Sequence, residues 1–152
     1  PYSDYECHPL CTMRYCCRAS SNSPLNQYMS ISLKTALKYP LLHFTPRSGK
    51  EFIAFIDALT HKPGACQIRI LKHQEVYKEK LINNHGISLV ADVPYKDKSN
   101  VEHIHGTIEI PIKENLQRKL CLISKKDAVF SDNTKKFIKI LKDHIAYMLY
   151  EN

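Results

Sequence analysis

Residues 39–59 read "YPLLHFTPRSGKEFIAFIDAL". The run Leu41 to Phe44 is short and apolar, as a strand covered on both faces would be. It breaks at Thr45-Pro46-Arg47-Ser48-Gly49, and a helical pattern starts at once. Phe52, Phe55, Ile56 and Leu59 recur at i, i+3, i+4 and i+7, a stripe that faces a core. Ser48-Gly49-Lys50-Glu51 has the S-x-x-E spacing of a capping box. A strand that runs through a polar turn straight into a helix is a junction where open α/β sheets hold ligands, beyond the carboxyl ends of their strands. The helix start offers N–H donors and the positive end of a dipole, and Arg47 adds a cation, so the chemistry suits a carboxylate or similar anion. The same residues also fit a plainly capped helix with Arg47 in water.

Strand and helix alternate outward from this stretch. "CTMRYCC" (11–17) reads as a strand and "RASSNSPLNQY" as a Ser/Asn/Pro loop. "ISLKTALKY" (31–39) reads as a short helix capped by Ser32 and stopped by Pro40. "CQIRIL" (66–71) alternates as a strand with one wet face. "HQEVYKEKLINN" predicts a helix with Val76, Tyr77 and Leu81 inward, leaving through Asn84 or Gly86. "GISLVA" (86–91), "GTIEIPI" and "KLCLIS" (119–124) predict further strands, Pro111 arguing for an edge or crossing strand and the last run for burial. From Ser131 a long helix carries Phe137, Leu141, Ile145 and Met148 on one face. The fold class is α/β, a mostly parallel sheet with helices on both faces.

Composition narrows the function. The chain has 152 residues, 43% of them apolar, enough for a real core in one domain or two small lobes. No apolar run approaches the ~20 residues of a membrane span, and "PYSDYECHPL" lacks the regions of a signal peptide, so the expectation is a cytoplasmic protein with no membrane partner. The net charge is +7, but the cations are mostly lysines alternating with acids, with lysine doublets only at Lys125-Lys126 and Lys135-Lys136. That is a solvated surface rather than a nucleic-acid stripe. The six cysteines, at 7, 11, 16, 17, 66 and 121, match no zinc or C-x-x-C redox spacing and read as reduced, mostly buried thiols. With four glycines there is no phosphate loop, and no G-x-S-x-G elbow appears. His103 and His105, with His85 a possible third, are the best metal ligands, yet no carboxylate is set beside them by spacing. The expectation is no metal, no cofactor and no catalytic group.

Three segments, in order, resemble one family. "SNSPLNQYMSISLKTALKYPLLHFTPRSGKEFIAFIDAL", "LINNHGISLVADVPY" and "IEIPIKENLQRKLCLISKKDAVFSDNTKKFIKIL" are similar to the effector-binding segment of LysR-type transcriptional regulators. The departures are Ser23-Pro24-Leu25 in place of the family's "HPL", His85 before Gly86-Ile87, and Ala91 where the family has proline. The resemblance implies a type 2 periplasmic-binding-protein-like fold, in which 26–115 form lobe II while 1–25 and 116–152 supply crossover strands and the closing helix of a partial lobe I. It implies an effector cleft with Phe44, Thr45, Pro46, Arg47, Ser48 and Gly49 on one wall, Val90 and Ala91 beside them, and Cys121 on the returning crossover. It implies a small, anionic effector, a homodimer or homotetramer, and DNA contact only through a winged helix-turn-helix that this chain lacks. A small α/β enzyme using the same strand-end cleft is the alternative, and a direct nucleic-acid-binding module the third reading.

Overall fold

A computed structural model of the chain describes residues 3–46, 49–92 and 104–150. The elements are β1 (Tyr5–Ser20), a 3-10 turn (Pro24–Gln27), α1 (Leu33–Ala36), β2 (Leu41–Phe44), α2 (Lys50–Thr60), β3 (Ile68–Leu71), α3 (Gln74–Ile82), β4 (Ser88–Asp92), β5 (Thr107–Pro111), β6 (Gln117–Lys125) and α4 (Asp132–Tyr150). They divide into two compact units. The larger holds Tyr15–Ala91 and Glu102–Leu116, and the smaller holds Pro1–Arg14, Asp92–Val101 and Gln117–Asn152.

In the larger unit β2 and β3 run parallel, from Leu41↔Ile68 to Phe44↔Leu71. A parallel bridge from Leu41 to Ile87 brings the start of β4 to the other side of β2, held by Leu42 N–H to Ile87 O at 2.7 Å and Ile87 N–H to Pro40 O at 2.9 Å. β4 neighbours β1, and β1 pairs antiparallel with β5 from Cys16↔Pro111 to Ser20↔Thr107. The sheet is therefore mixed, in the order β3-β2-β4-β1-β5.

Successive residues of a strand face opposite sides, which explains the unbroken apolar run in β2. Leu41 joins a core with Cys17, Ala19, Leu25, Ile31, Ala36, Ile56, Ile87, Leu89 and Ile110, under α1 and α2. Leu42 joins a second cluster with Tyr77, Leu81 and Ile104, under α3. Ser32 caps α1 as the sequence indicates, its hydroxyl accepting from Thr35 N–H at 3.1 Å. Asn84 takes the left-handed exit of α3 with φ 58°. Gly86 serves the sheet instead of that exit. A Cβ there would collide with the Pro40 carbonyl oxygen and touch Leu42, so the residue permits close approach of β4 to β2. Buried Ser20 donates its hydroxyl to Ile82 O at 2.7 Å, tying β1 to the end of α3.

Several sequence expectations change. β1 runs 16 residues rather than seven because it serves two antiparallel partners, β5 along its second part and β6 along its first, from Tyr5↔Lys125 to Arg14↔Gln117. Val76 is 37% exposed; only Tyr77 and Leu81 of α3 turn inward. "KLCLIS" is not a buried run, since Leu120 and Ile123 are exposed at 45% and 62%. In the smaller unit the described residues form one two-stranded ladder and one helix, too little material to cover both faces of the ladder. Phe137 of α4 is likewise exposed while Leu141 and Ile145 are half-buried; the side chain of Met148 lies outside the described residues. The cysteines are not all free thiols. Cys7 and Cys121 are joined by a disulfide across β1 and β6, with Cα atoms 5.8 Å apart.

Candidate functional site

The mouth at 44–49 is built by three elements of the larger unit. Thr45 N–H donates to Leu71 O at 3.0 Å, carrying the β2–β3 ladder one residue past the strand end. Pro46 is exposed. Gly49 is buried and takes a left-handed conformation, φ 69° and ψ 8°, as the N-cap of α2. Its carbonyl accepts from Phe52 N–H and Ile53 N–H, each at 3.1 Å, and among the described residues no side-chain hydrogen bond caps the helix start. A capping box led by Ser48 would need that residue at the N-cap position, which Gly49 occupies. Arg47 and Ser48 lie outside the described residues.

The other expected wall is placed by register. Three residues on from the Leu41–Ile87 bridge, β2 has reached Phe44 and β4 has reached Val90. Phe44, Thr45, Val90 and Ala91 thus come to the same carboxyl edge of the sheet, all four half-buried. Phe44 packs against the α3 cluster, its ring centroid 6.1 Å from that of Tyr77. Cys121 belongs to the smaller unit and is bonded to Cys7.

Sequence reasoning missed one pair at this mouth. His43 points to the opposite face from Phe44 and stacks on Phe52, in the first turn of α2, at 3.8 Å and 2° between ring planes. Phe52 in turn meets Phe55 at 6.3 Å, and Phe55 stacks with Tyr15 of β1 at 5.5 Å. The signal was available: strand alternation sends His43 toward the helix whose apolar stripe begins at Phe52. This ladder of rings fixes the start of α2 over the carboxyl end of β2.

Elsewhere the chemistry is quiet. A surface groove of about 780 Å³ lies at the opposite end of the strands, lined by Leu33, Lys34, Leu37, Leu59 and Cys66 among others; it is wide but has no cluster of buried polar groups. Burial, then the negative charge of Asp57, pushes the Cys66 thiol up. Burial, then neighbouring Cys16, pushes the Cys17 thiol up to about 12. Both stay protonated at neutral pH and are poor nucleophiles. His85 and His105 are exposed and His103 lies outside the described residues; among the described residues no three His, Cys, Asp or Glu side chains are grouped to hold a metal. No helix among the described residues is long and apolar enough to cross a membrane.

Comparison with known proteins names the family. The pattern described as the LysR substrate binding domain matches residues 1–146. The effector binding domain of QuiR in complex with shikimate superposes with a TM-score of 0.70 at 20% identity, over 96% of this chain and 68% of that one. The BenM effector binding domain with its effector benzoate gives 0.72 at 14% identity, over 95% and 65%. HinK, a LysR family transcriptional regulator from Pseudomonas aeruginosa, gives 0.68 at 15%, over 94% and 49%. This chain therefore spans about two thirds of the isolated domains and about half of the longer regulator. No curated protein matches it. At these identities the structural likeness is one of fold, the periplasmic-binding-protein-like type 2 α/β fold, and the assignment rests on the family match across nearly the whole sequence: the chain belongs to the LysR substrate-binding-domain family.

Proposed function

We propose that this chain is the effector-sensing part of a LysR-type transcriptional regulator, taking a small carboxylate or similar anion at the carboxyl edge of the larger unit's sheet. The observation that carries the reading is the convergence of the β2 end, the β4 end and the start of α2 at one edge, with the backbone of Gly49 opening the helix there. Such an edge provides aligned N–H donors and a positive dipole end. In this reading Arg47 pairs the anion, Thr45 and the helix start from Ser48 onward hydrogen-bond it, and Phe44, Val90 and Ala91 form the apolar wall. The relatives are described with shikimate and benzoate, both carboxylates, which supports the ligand class.

The role is non-enzymatic and cytoplasmic. DNA contact belongs to a winged helix-turn-helix outside this chain, and the subunits act as a homodimer or homotetramer. A ligand can shift such an assembly only through unequal affinity for its two arrangements. A thermal-shift screen of benzoate, shikimate and other small carboxylates against neutral analogues, at two salt concentrations, tests the reading. A selective rise with one carboxylate that survives moderate salt supports it; equal response to the neutral analogue, or none to any carboxylate, counts against it.

A further inference from the structure

Six cysteines stand in this chain, and the structure brings one pair of them together from strands distant in sequence. Cys7 on β1 and Cys121 on β6 are 114 residues apart, yet the antiparallel register sets Cys7 opposite Ile123 and Pro9 opposite Cys121. The two cysteines are therefore diagonal neighbours on one face of the ladder. The register shifts between Pro9 and Cys11, and such a bulge increases the local twist. Their Cα separation of 5.8 Å falls inside the range a disulfide spans without backbone movement.

Cys11 opposes Leu120 on the same ladder and is a free thiol. Cys16 and Cys17 are buried in the larger unit. Cys7, in contrast, is exposed and Cys121 half-buried, so an attacking disulfide reaches this pair from solvent.

We propose that Cys7 and Cys121 form a thiol–disulfide exchange site that takes low-molecular-weight disulfides of the glutathione type. The exposed Cys7 thiolate attacks one sulfur of the oxidised glutathione, giving a mixed disulfide on Cys7 and releasing one reduced glutathione. The Cys121 thiolate then attacks the Cys7 sulfur, closes the cross-strand bridge and releases the second. The protein loses two electrons and two protons, and the glutathione disulfide gains them. The bridge joins residues 114 apart in sequence, so oxidation removes freedom from the unfolded chain and locks β6 to β1.

The experiment equilibrates the 152-residue chain in buffers of graded oxidised-to-reduced glutathione ratio, quenches it, and counts alkylated thiols by mass spectrometry after denaturation. Two thiols should vanish together, a single cross-linked peptide should join Cys7 to Cys121, and Cys11, Cys16, Cys17 and Cys66 should be alkylated throughout. The oxidised form should melt about 5–10 °C above the reduced form. That difference should disappear in Cys7→Ser and persist in Cys11→Ser. Cys7 and Cys121 remaining fully alkylated at every ratio, or cross-links scattered over other cysteines, would overturn the proposal. So would a melting difference that Cys7→Ser leaves in place.

Discussion

Ile70 fills the space where a side chain on Gly49 would go. A Cβ built on Gly49 would stand 2.8 Å from Ile70 Cδ1 and 3.0 Å from its Cγ1, on a backbone already at φ 69°. The turn into α2 is thus fixed from two sides, by a conformation that favours glycine and by β3 packed beneath it. Gly49→Ala should destabilise the chain by about 1–3 kcal/mol, combining the left-handed penalty with overpacking. Urea unfolding measures this, and a change within about 0.5 kcal/mol would show that the turn accommodates a methyl group.

The buried Cys17 thiol gives a pH signature. Its pKa is raised from 9.0 to about 12, so the folded chain keeps a proton that the unfolded chain releases. The resulting stability is fully present below pH 9 and lost as pH rises toward 12, at up to about 1.4 kcal/mol per pH unit from this group. The comparison is with Cys17→Ala, which removes this thiol alone. That variant should show a shallower loss of stability between about pH 9 and 11; parallel curves would mean that the thiol ionises freely in the fold.

Arg18 and Glu109 face each other on β1 and β5, and Arg18 donates from Nε to Glu109 Oε1 at 3.1 Å and also from Nη2. The two side chains are 13% and 24% exposed, so losing one partner leaves a partly desolvated charge. Arg18→Met should cost about 1–3 kcal/mol, below the figure for a fully buried pair because water still reaches both groups. Arg18→Met with Glu109→Met should recover most of that loss. A double-mutant cycle decides it: strictly additive costs would show that the pair is not coupled.

Burial separates two residues that look alike in sequence. Leu81 is fully buried between α3 and β2, whereas Phe137 of α4 is 59% exposed. Leu81→Ala should lose about 2–5 kcal/mol, and Phe137→Ala less than about 1 kcal/mol, in the same urea titration. Similar losses for both would mean that Phe137 is covered in solution.

The elements legible in the sequence are those set by neighbours in the chain. β2 is readable to the residue because its apolar run is bounded by Pro40 and by Thr45-Pro46, and α1 at its start because Ser32 caps it, although the helix ends at Ala36 rather than running to Tyr39. The exit of α3 at Asn84 follows from local chemistry too. What escaped depends on distant partners. The length of β1 is decided by β5 and β6, which lie far along the chain. The exposure of Leu120 and Ile123 depends on what lies over the β6 ladder, which periodicity does not encode. The Cys7–Cys121 pairing follows a register that no spacing rule contains. At the site, the residue types in the 45–49 turn pointed to the strand-end edge, but not to Gly49 as the N-cap, since the capping-box spacing favoured Ser48. Nor did they point to His43, whose partner Phe52 lies across the turn.

Arg47 is the residue on which the proposed ligand chemistry turns, because it is the cation expected to meet the anion at the start of α2. Isothermal titration compares the carboxylate selected by screening in the wild-type chain and in Arg47→Ala. Affinity should fall at least about tenfold, as loss of a charge-assisted hydrogen bond would produce, with the unliganded melting temperature unchanged. Arg47→Lys should restore only part of the affinity, since an ammonium cannot reproduce the two-pronged guanidinium geometry. Equal affinity in the wild type and Arg47→Ala would refute the pairing and move the anion away from this edge of the sheet.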